Sequence, residues 1–143
     1  MKVLFLNGPN LNMLGIREPG IYGTQTLNYI NEIIKAECEK LNVIPEFYQS
    51  NSEGELIDKI HSAHFADIDA IVFNPGAYSH YSIAIADALK SISKPCVEVH
   101  ISNVFAREEK RQNMVTAVSS KGVISGFGVN SYILGLYAVA KGI

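Results

Sequence analysis

"DAIVFNPGAYSHYSIAIADALKSISKPCVEVHIS", residues 69–102, reads as strand, helix and strand in one stretch. Asp69–Asn74 ends in a continuous apolar run closed by Pro75-Gly76, the pattern of a strand buried on both faces. "SIAIADALKSI" (82–92) is a helix that Pro95 ends, and "CVEVHIS" (96–102) is a further apolar strand. Two strands of this kind joined through a helix pair in parallel, because the helix is the crossover that parallel pairing needs.

The same alternation extends in both directions. Val3–Leu6 is a first strand. "TLNYINEIIKAECEKLN" puts Leu27, Ile30, Ile34, Cys38 and Leu41 at three- and four-residue spacings, a helix with Thr26 as N-cap. "VIPEFYQS" (43–50) is a weaker strand, and Pro45 suits it to a sheet edge. "SEGELIDKIHSAHF" opens with the capping-box pair Ser52 and Glu55 and continues as a helix. "FAREEKRQN" (105–113) reads as a short charged helix, "GVISG" (122–126) as a fifth strand and "NSYILGLYAVAKG" (130–142) as a last helix. Five strand–helix repeats predict an α/β chain: a flavodoxin-like, doubly wound five-stranded parallel sheet with helices on both faces. No linker, low-complexity tract or repeat interrupts it, so residues 1–143 are expected to form a single catalytic domain.

Bulk properties narrow the function. A hydrophobic content of 48% with 18% charged residues describes a globular protein, and a net charge of −2 argues against nucleic-acid or membrane-surface partners. Cys38 and Cys96 lie in no metal-binding spacing and read as reduced core residues. His61 and His64, three apart on a helix, lack a third ligand for a metal. The first apolar stretch is too short for a secretion signal and no run is long enough to span a bilayer, so the expected compartment is the cytoplasm.

In doubly wound sheets, ligands bind beyond the carboxyl ends of the strands. The residues leaving those ends are polar: Asn7, Ser50-Asn51, Asn74-Pro75-Gly76 and His100-Ile101-Ser102-Asn103. The first exit, "NGPNLNMLGIREPGIYGTQT" (7–26), is longer than an idle connection. It lacks the glycine fingerprints of dinucleotide and phosphate loops; "GPNLNMLG" (8–15) has none of the hydroxyl side chains that a flavin phosphate requires, and Asn7 stands at the strand end where a receiver domain has acidic residues. It carries Arg17 and Tyr22 between Gly15, Gly20 and Gly23, which suits a mobile lid at about residues 15–25 on which the cation lowers the phenol's pKa; a solvated or packed pair is the bland alternative.

Other strand ends leave paired readings. His80 in "NPGAYSHYS" is a surface histidine near a turn or part of a polar site, and Asp87 is a solvated helix residue or the holder of a partner. Glu98 and His100, two apart on a strand, face one side of the sheet. A carboxylate buried beside an imidazole favours the cationic ring and fixes its orientation, which prepares a general acid; a structural ion pair is the alternative. Arg107 and Arg111 in "REEKR" sit one helical turn apart, either on a solvated face with Glu108 and Glu109 or with one turned inward toward an anion. A flavin-binding electron carrier and a non-catalytic binder of polyols or acids would share the architecture, but the second gives no reason for the Tyr–Arg–His–Glu set.

Together "LNGPNLNMLGIREPGIYG", "QSNSEGELIDKIH", "NPGAYSHYSIAIADAL" and "EVHISN" with its following arginines resemble type II 3-dehydroquinate dehydratase, over nearly the whole chain. The resemblance implies reversible dehydration of 3-dehydroquinate to 3-dehydroshikimate through an enolate. It also implies a homo-oligomer, a dodecamer built from trimers, and neither metal nor organic cofactor. By motif position, Tyr22 would be the base, Arg17 would stabilise its anion, and Asn10 would position a water near the enolate oxygen. His100 would be the acid with Glu98 behind it, while Asn74, His80, the backbone at Ile101, Ser102 and Arg111 would hold the substrate. Asp87 matches a position supplied by a neighbouring subunit. The chain departs from the family where Lys110 replaces an aromatic and Met114 a serine, which puts packing around Arg111 in question. Nothing in the sequence separates a biosynthetic (shikimate) role from a quinate-degrading one.

Overall fold

The computed structural model describes residues 1–16, Gly20 and residues 24–142. Five strands, β1 (Lys2–Asn7), β2 (Ile44–Gln49), β3 (Ala70–Asn74), β4 (Cys96–His100) and β5 (Gly122–Ser125), form one parallel sheet in the order β2-β1-β3-β4-β5. This is the flavodoxin-like arrangement that the alternation predicts. β2, which carries Pro45, lies at an edge as expected.

The helices that follow are α1 (Leu27–Lys40), α2 (Glu53–Phe65), α3 (Ile83–Lys90), α4 (Glu109–Gln112) and α5 (Asn130–Ala140). The two-residue period of the strands divides the core into two halves. Val3, Phe5, Val72, Val97 and Val99 pack with Ile30 and Ile34 of α1 and Tyr132, Leu136 and Val139 of α5. Leu4, Leu6, Ile71, Phe73 and Cys96 pack on the opposite face with Leu56 and Ile60 of α2 and Ile85 and Leu89 of α3. The central strands are therefore apolar without alternation because both of their faces are covered. Both cysteines are free and buried, and burial pushes the thiol of Cys38 up to about 11 and that of Cys96 up to about 12. No helix among the described residues is long and apolar enough to cross a membrane.

Helix starts follow the sequence closely. The Thr26 hydroxyl accepts from the Tyr29 N–H, Ser52 from Glu55 and Ser82 from Ile85. The capping box at Ser52 is only half formed, because Ser50 intervenes: its hydroxyl donates to the Glu55 carboxylate and accepts from the Ser52 N–H at 2.9 Å. The charged helix expected over residues 105–113 divides in two. A 3-10 turn, Val104–Ala106, is capped by the Asn103 side chain and ends at an extended Arg107, after which α4 begins. The Gln112 amide donates to the Arg107 carbonyl at 3.0 Å and to that of Phe105 at 3.4 Å, taking the place of helical N–H donors across the break. Arg107 and Arg111 therefore do not share one helix.

The sheet order reverses at β1, with β2 on one side and β3 on the other. There the two exits touch: the Gly8 N–H donates to the Asn74 carbonyl at 2.8 Å, and a Cβ on Gly8 would lie 2.4 Å from the Pro75 carbonyl oxygen. Since both partners are backbone, neither can give way locally. Gly8→Ala is expected to destabilise the fold by about 1–3 kcal/mol, read as a lower urea midpoint at unchanged slope. An unchanged midpoint would show that this approach carries no strain.

Candidate active site

Register aligns the strand ends into one row: Gln49, Asn7 and Asn74 are paired in sequence across β2, β1 and β3, and His100 is paired with Ser125 across β4 and β5. Beyond this row lies a cleft lined by the polar residues Asn10, Asn74, His80, His100, Ser102, Arg107 and Arg111 together with Ile101, Pro9, Leu11, Gly76, Ala77 and Val104.

The exits of β1 and β3 are fastened from below by a buried polar chain. Tyr132 of α5 donates its hydroxyl to the Asn7 Oδ1 at 2.6 Å and accepts from the Asn74 Nδ2 at 3.0 Å. Burial raises the Tyr132 phenol well above its usual range, so it remains a neutral donor. Asn74 Oδ1 accepts from the Gly76 N–H at 3.1 Å, which leaves the second Nδ2 hydrogen for a ligand. Asn10 adopts a left-handed conformation (φ 67°), and its N–H donates to Asn51 Oδ1 at 2.9 Å, so its backbone is pinned while its side chain lies at the cleft.

The Glu98–His100 pair forms as the spacing predicts. Glu98 is 0% exposed and His100 5%, and His100 Nε2 donates to Glu98 Oε1 at 2.7 Å. With Nε2–H committed to the carboxylate, Nδ1 is the ring nitrogen left to exchange a proton with a ligand. The other Glu98 oxygen accepts from the hydroxyl of Thr116, also fully buried, at 2.7 Å.

The His80 ring lies against that of His100, with centroids 6.4 Å apart and planes 24° from parallel. Its Nδ1–H donates to the Asn113 carbonyl at 2.8 Å. Burial holds the His80 imidazole below its ordinary value, assisted by repulsion from His100 and Arg111 and opposed by the Asn113 hydrogen bond and Glu98. At neutral pH His80 is therefore uncharged, with Nε2 as an acceptor.

The arginines combine both readings open to them. Arg111 lines the cleft while its Nε donates to Glu108 Oε1 at 2.7 Å, and Arg107 lines it from the extended residue before α4. Met114 instead lines a separate apolar groove with Phe105, Val123 and Leu134, and Lys110 is exposed, so neither substitution lies among the cleft residues. Asp87 is exposed on α3 and is not brought to the cleft within this chain. Arg17 and Tyr22 lie outside the described residues. Sequence reasoning missed Tyr132 and Thr116, which belong to no motif; their one signal is a polar atom inside an otherwise apolar stretch.

The family model for "Dehydroquinase class II" matches residues 1–140. The chain is 55% identical to a 3-dehydroquinate dehydratase of Caldicellulosiruptor saccharolyticus over 140 residues, covering 98% of this chain and 97% of that one. It is 57% identical to that of Carboxydothermus hydrogenoformans over 139 residues, covering 97% and 90%. The crystal structure of the type II dehydroquinase from Butyrivibrio crossotus superposes with a TM-score of 0.96 at 51% identity, covering 97% of each chain.

The His80 environment has a measurable consequence. A histidine whose folded pKa lies below its unfolded value contributes stability above the unfolded value, near 6.5, and loses that contribution as pH falls through the folded value. Histidine NMR is expected to show His80 titrating below pH 6.5, with stability declining on acidification more in the wild type than in His80→Gln. A His80 midpoint at or above 6.5 would contradict this.

Proposed function

The chain belongs to the class II dehydroquinase family, and from that premise we propose that it dehydrates 3-dehydroquinate reversibly to 3-dehydroshikimate through an enolate, using a tyrosinate base and a histidine acid. The observation that carries this reading is the buried Glu98–His100 pair at the wall of a cleft that also holds His80, Asn74 and Arg111.

Tyr22, as tyrosinate, removes the proton at C2, and the C–H electrons move onto the C3 carbonyl oxygen to give the enolate. Arg17 stabilises the phenolate. Lowering a phenol's pKa from about 10 to about 7–8 needs roughly 3–4 kcal/mol, and one positive charge at ~4 Å supplies about that at an effective dielectric near 20. Asn10 positions a water at the enolate oxygen. The enolate then collapses, the C1–O bond breaks, and His100 Nδ1–H protonates the departing hydroxyl to release water. Base and acid thus work in opposite protonation states within one site.

The remaining groups suit a polyhydroxylated carboxylate. Neutral His80 accepts at Nε2, Asn74 donates its second amide hydrogen, and Arg111, Ser102 and the Ile101 backbone hold the carboxylate and hydroxyls. Asp87 reaches the site from a neighbouring subunit, which accounts for its exposure on α3 in the single chain. Residues at about 15–25 form the lid. The reaction asks for neither metal nor organic cofactor. The protein works as a dodecamer built from trimers in the cytoplasm, in aromatic amino acid biosynthesis through the shikimate pathway.

The test is absorbance near 234 nm, where the enone product absorbs. Wild type is expected to raise it with 3-dehydroquinate, and Tyr22→Phe to abolish turnover while substrate still binds. No rise with the wild type would remove the activity. A Tyr22→Phe rate within about tenfold of wild type, a ~1.4 kcal/mol effect, would remove tyrosine as the base.

A further inference from the structure

We propose that Thr116 is a positioning residue for His100, acting through Glu98; this rests on the reading of His100 as the acid. Both Glu98 oxygens are occupied, Oε1 by His100 Nε2–H and Oε2 by Thr116 Oγ1–H, each at 2.7 Å. A carboxylate held by one oxygen can swing about its side-chain dihedrals, whereas two donors on opposite oxygens fix its plane and so the direction from which it holds the imidazole. Thr116 is fully buried and lies outside the cleft lining, so it does not reach a substrate.

The backbone fixes where this hydroxyl stands. The N–H groups of Val115 and Thr116 both donate to the Ser79 carbonyl, at 2.7 and 3.4 Å, immediately before His80. Two residues earlier, the Asn113 carbonyl accepts from His80 Nδ1. Residues 113–116 therefore strap both cleft histidines: His80 is held by a main-chain carbonyl and His100 through a carboxylate and a hydroxyl. The near-parallel pair of rings follows from this common support. Thr116 sets the geometry of the acid without touching the reaction.

Thr116→Val keeps the shape and deletes the donor, and Thr116→Ser keeps the donor and deletes a methyl group. With folding matched by circular dichroism, Thr116→Val is expected to lower kcat at least tenfold with KM within about twofold, and Thr116→Ser to stay within about twofold in both. Where the valine variant does not fold, Thr116→Ser against Thr116→Ala isolates the hydroxyl in the same way. An undiminished kcat without the hydroxyl, an equal loss in the serine variant, or a KM change matching the kcat change would overturn the proposal. His100→Asn is assayed beside them. If it keeps its kcat, the acid assignment falls and the proposal with it; if it collapses while Thr116→Val does not, only the positioning role falls.

Discussion

Glu98 has no exposure to water, and a carboxylate in that position is tolerated only when its oxygens are satisfied. Much of the cleft follows from that constraint. Glu98 sits inside β4, opposite Phe73 on β3 and Val123 on β5, so the neighbouring strands offer it no side-chain donor. Its partners are His100, at the carboxyl end of the same strand, and Thr116, from the segment leading to β5. Meeting both demands turns one His100 nitrogen inward to Glu98 while the residue still lines the cleft.

A second buried polar group serves the other half of the site. Tyr132, on the opposite face of the sheet, joins Asn7 and Asn74 at the switch point where β1 and β3 diverge. Two buried hydrogen-bonded clusters, one on each side of the sheet, thus hold the floor from which the cleft residues project. Side chains that must act within a few tenths of an ångström are placed on strand ends and fastened turns, the rigid elements of this fold.

The layered sheet was legible because strands buried on both faces and amphipathic helices write distinct periods into the chain. The edge place of β2 could be read from Pro45, and the Glu98–His100 pair from simple alternation. What escaped reading depended on contacts distant in sequence. Residues 105–113 do not form one helix, because Gln112 folds back onto the carbonyls of Phe105 and Arg107. Glu55 does not complete its capping box, because Ser50 competes for the carboxylate. Thr116 lies in "MVTAV", where no spacing sets it apart from a core threonine; only the fold brings it to Glu98, eighteen residues away. The family resemblance implies roles that neither period nor spacing could suggest, above all for Tyr22 and Asp87, and these stand as proposals.

In the proposed mechanism Glu98 orients His100 through the hydrogen bond from Nε2 to Oε1. Glu98→Gln is nearly isosteric but removes the charge and puts an amide donor where an acceptor stood. Steady-state kinetics on the folded variant with 3-dehydroquinate test this most directly. The expected result is a fall in kcat of at least about 100-fold with KM changed by no more than about threefold. A variant turning over within about threefold of wild type would contradict it.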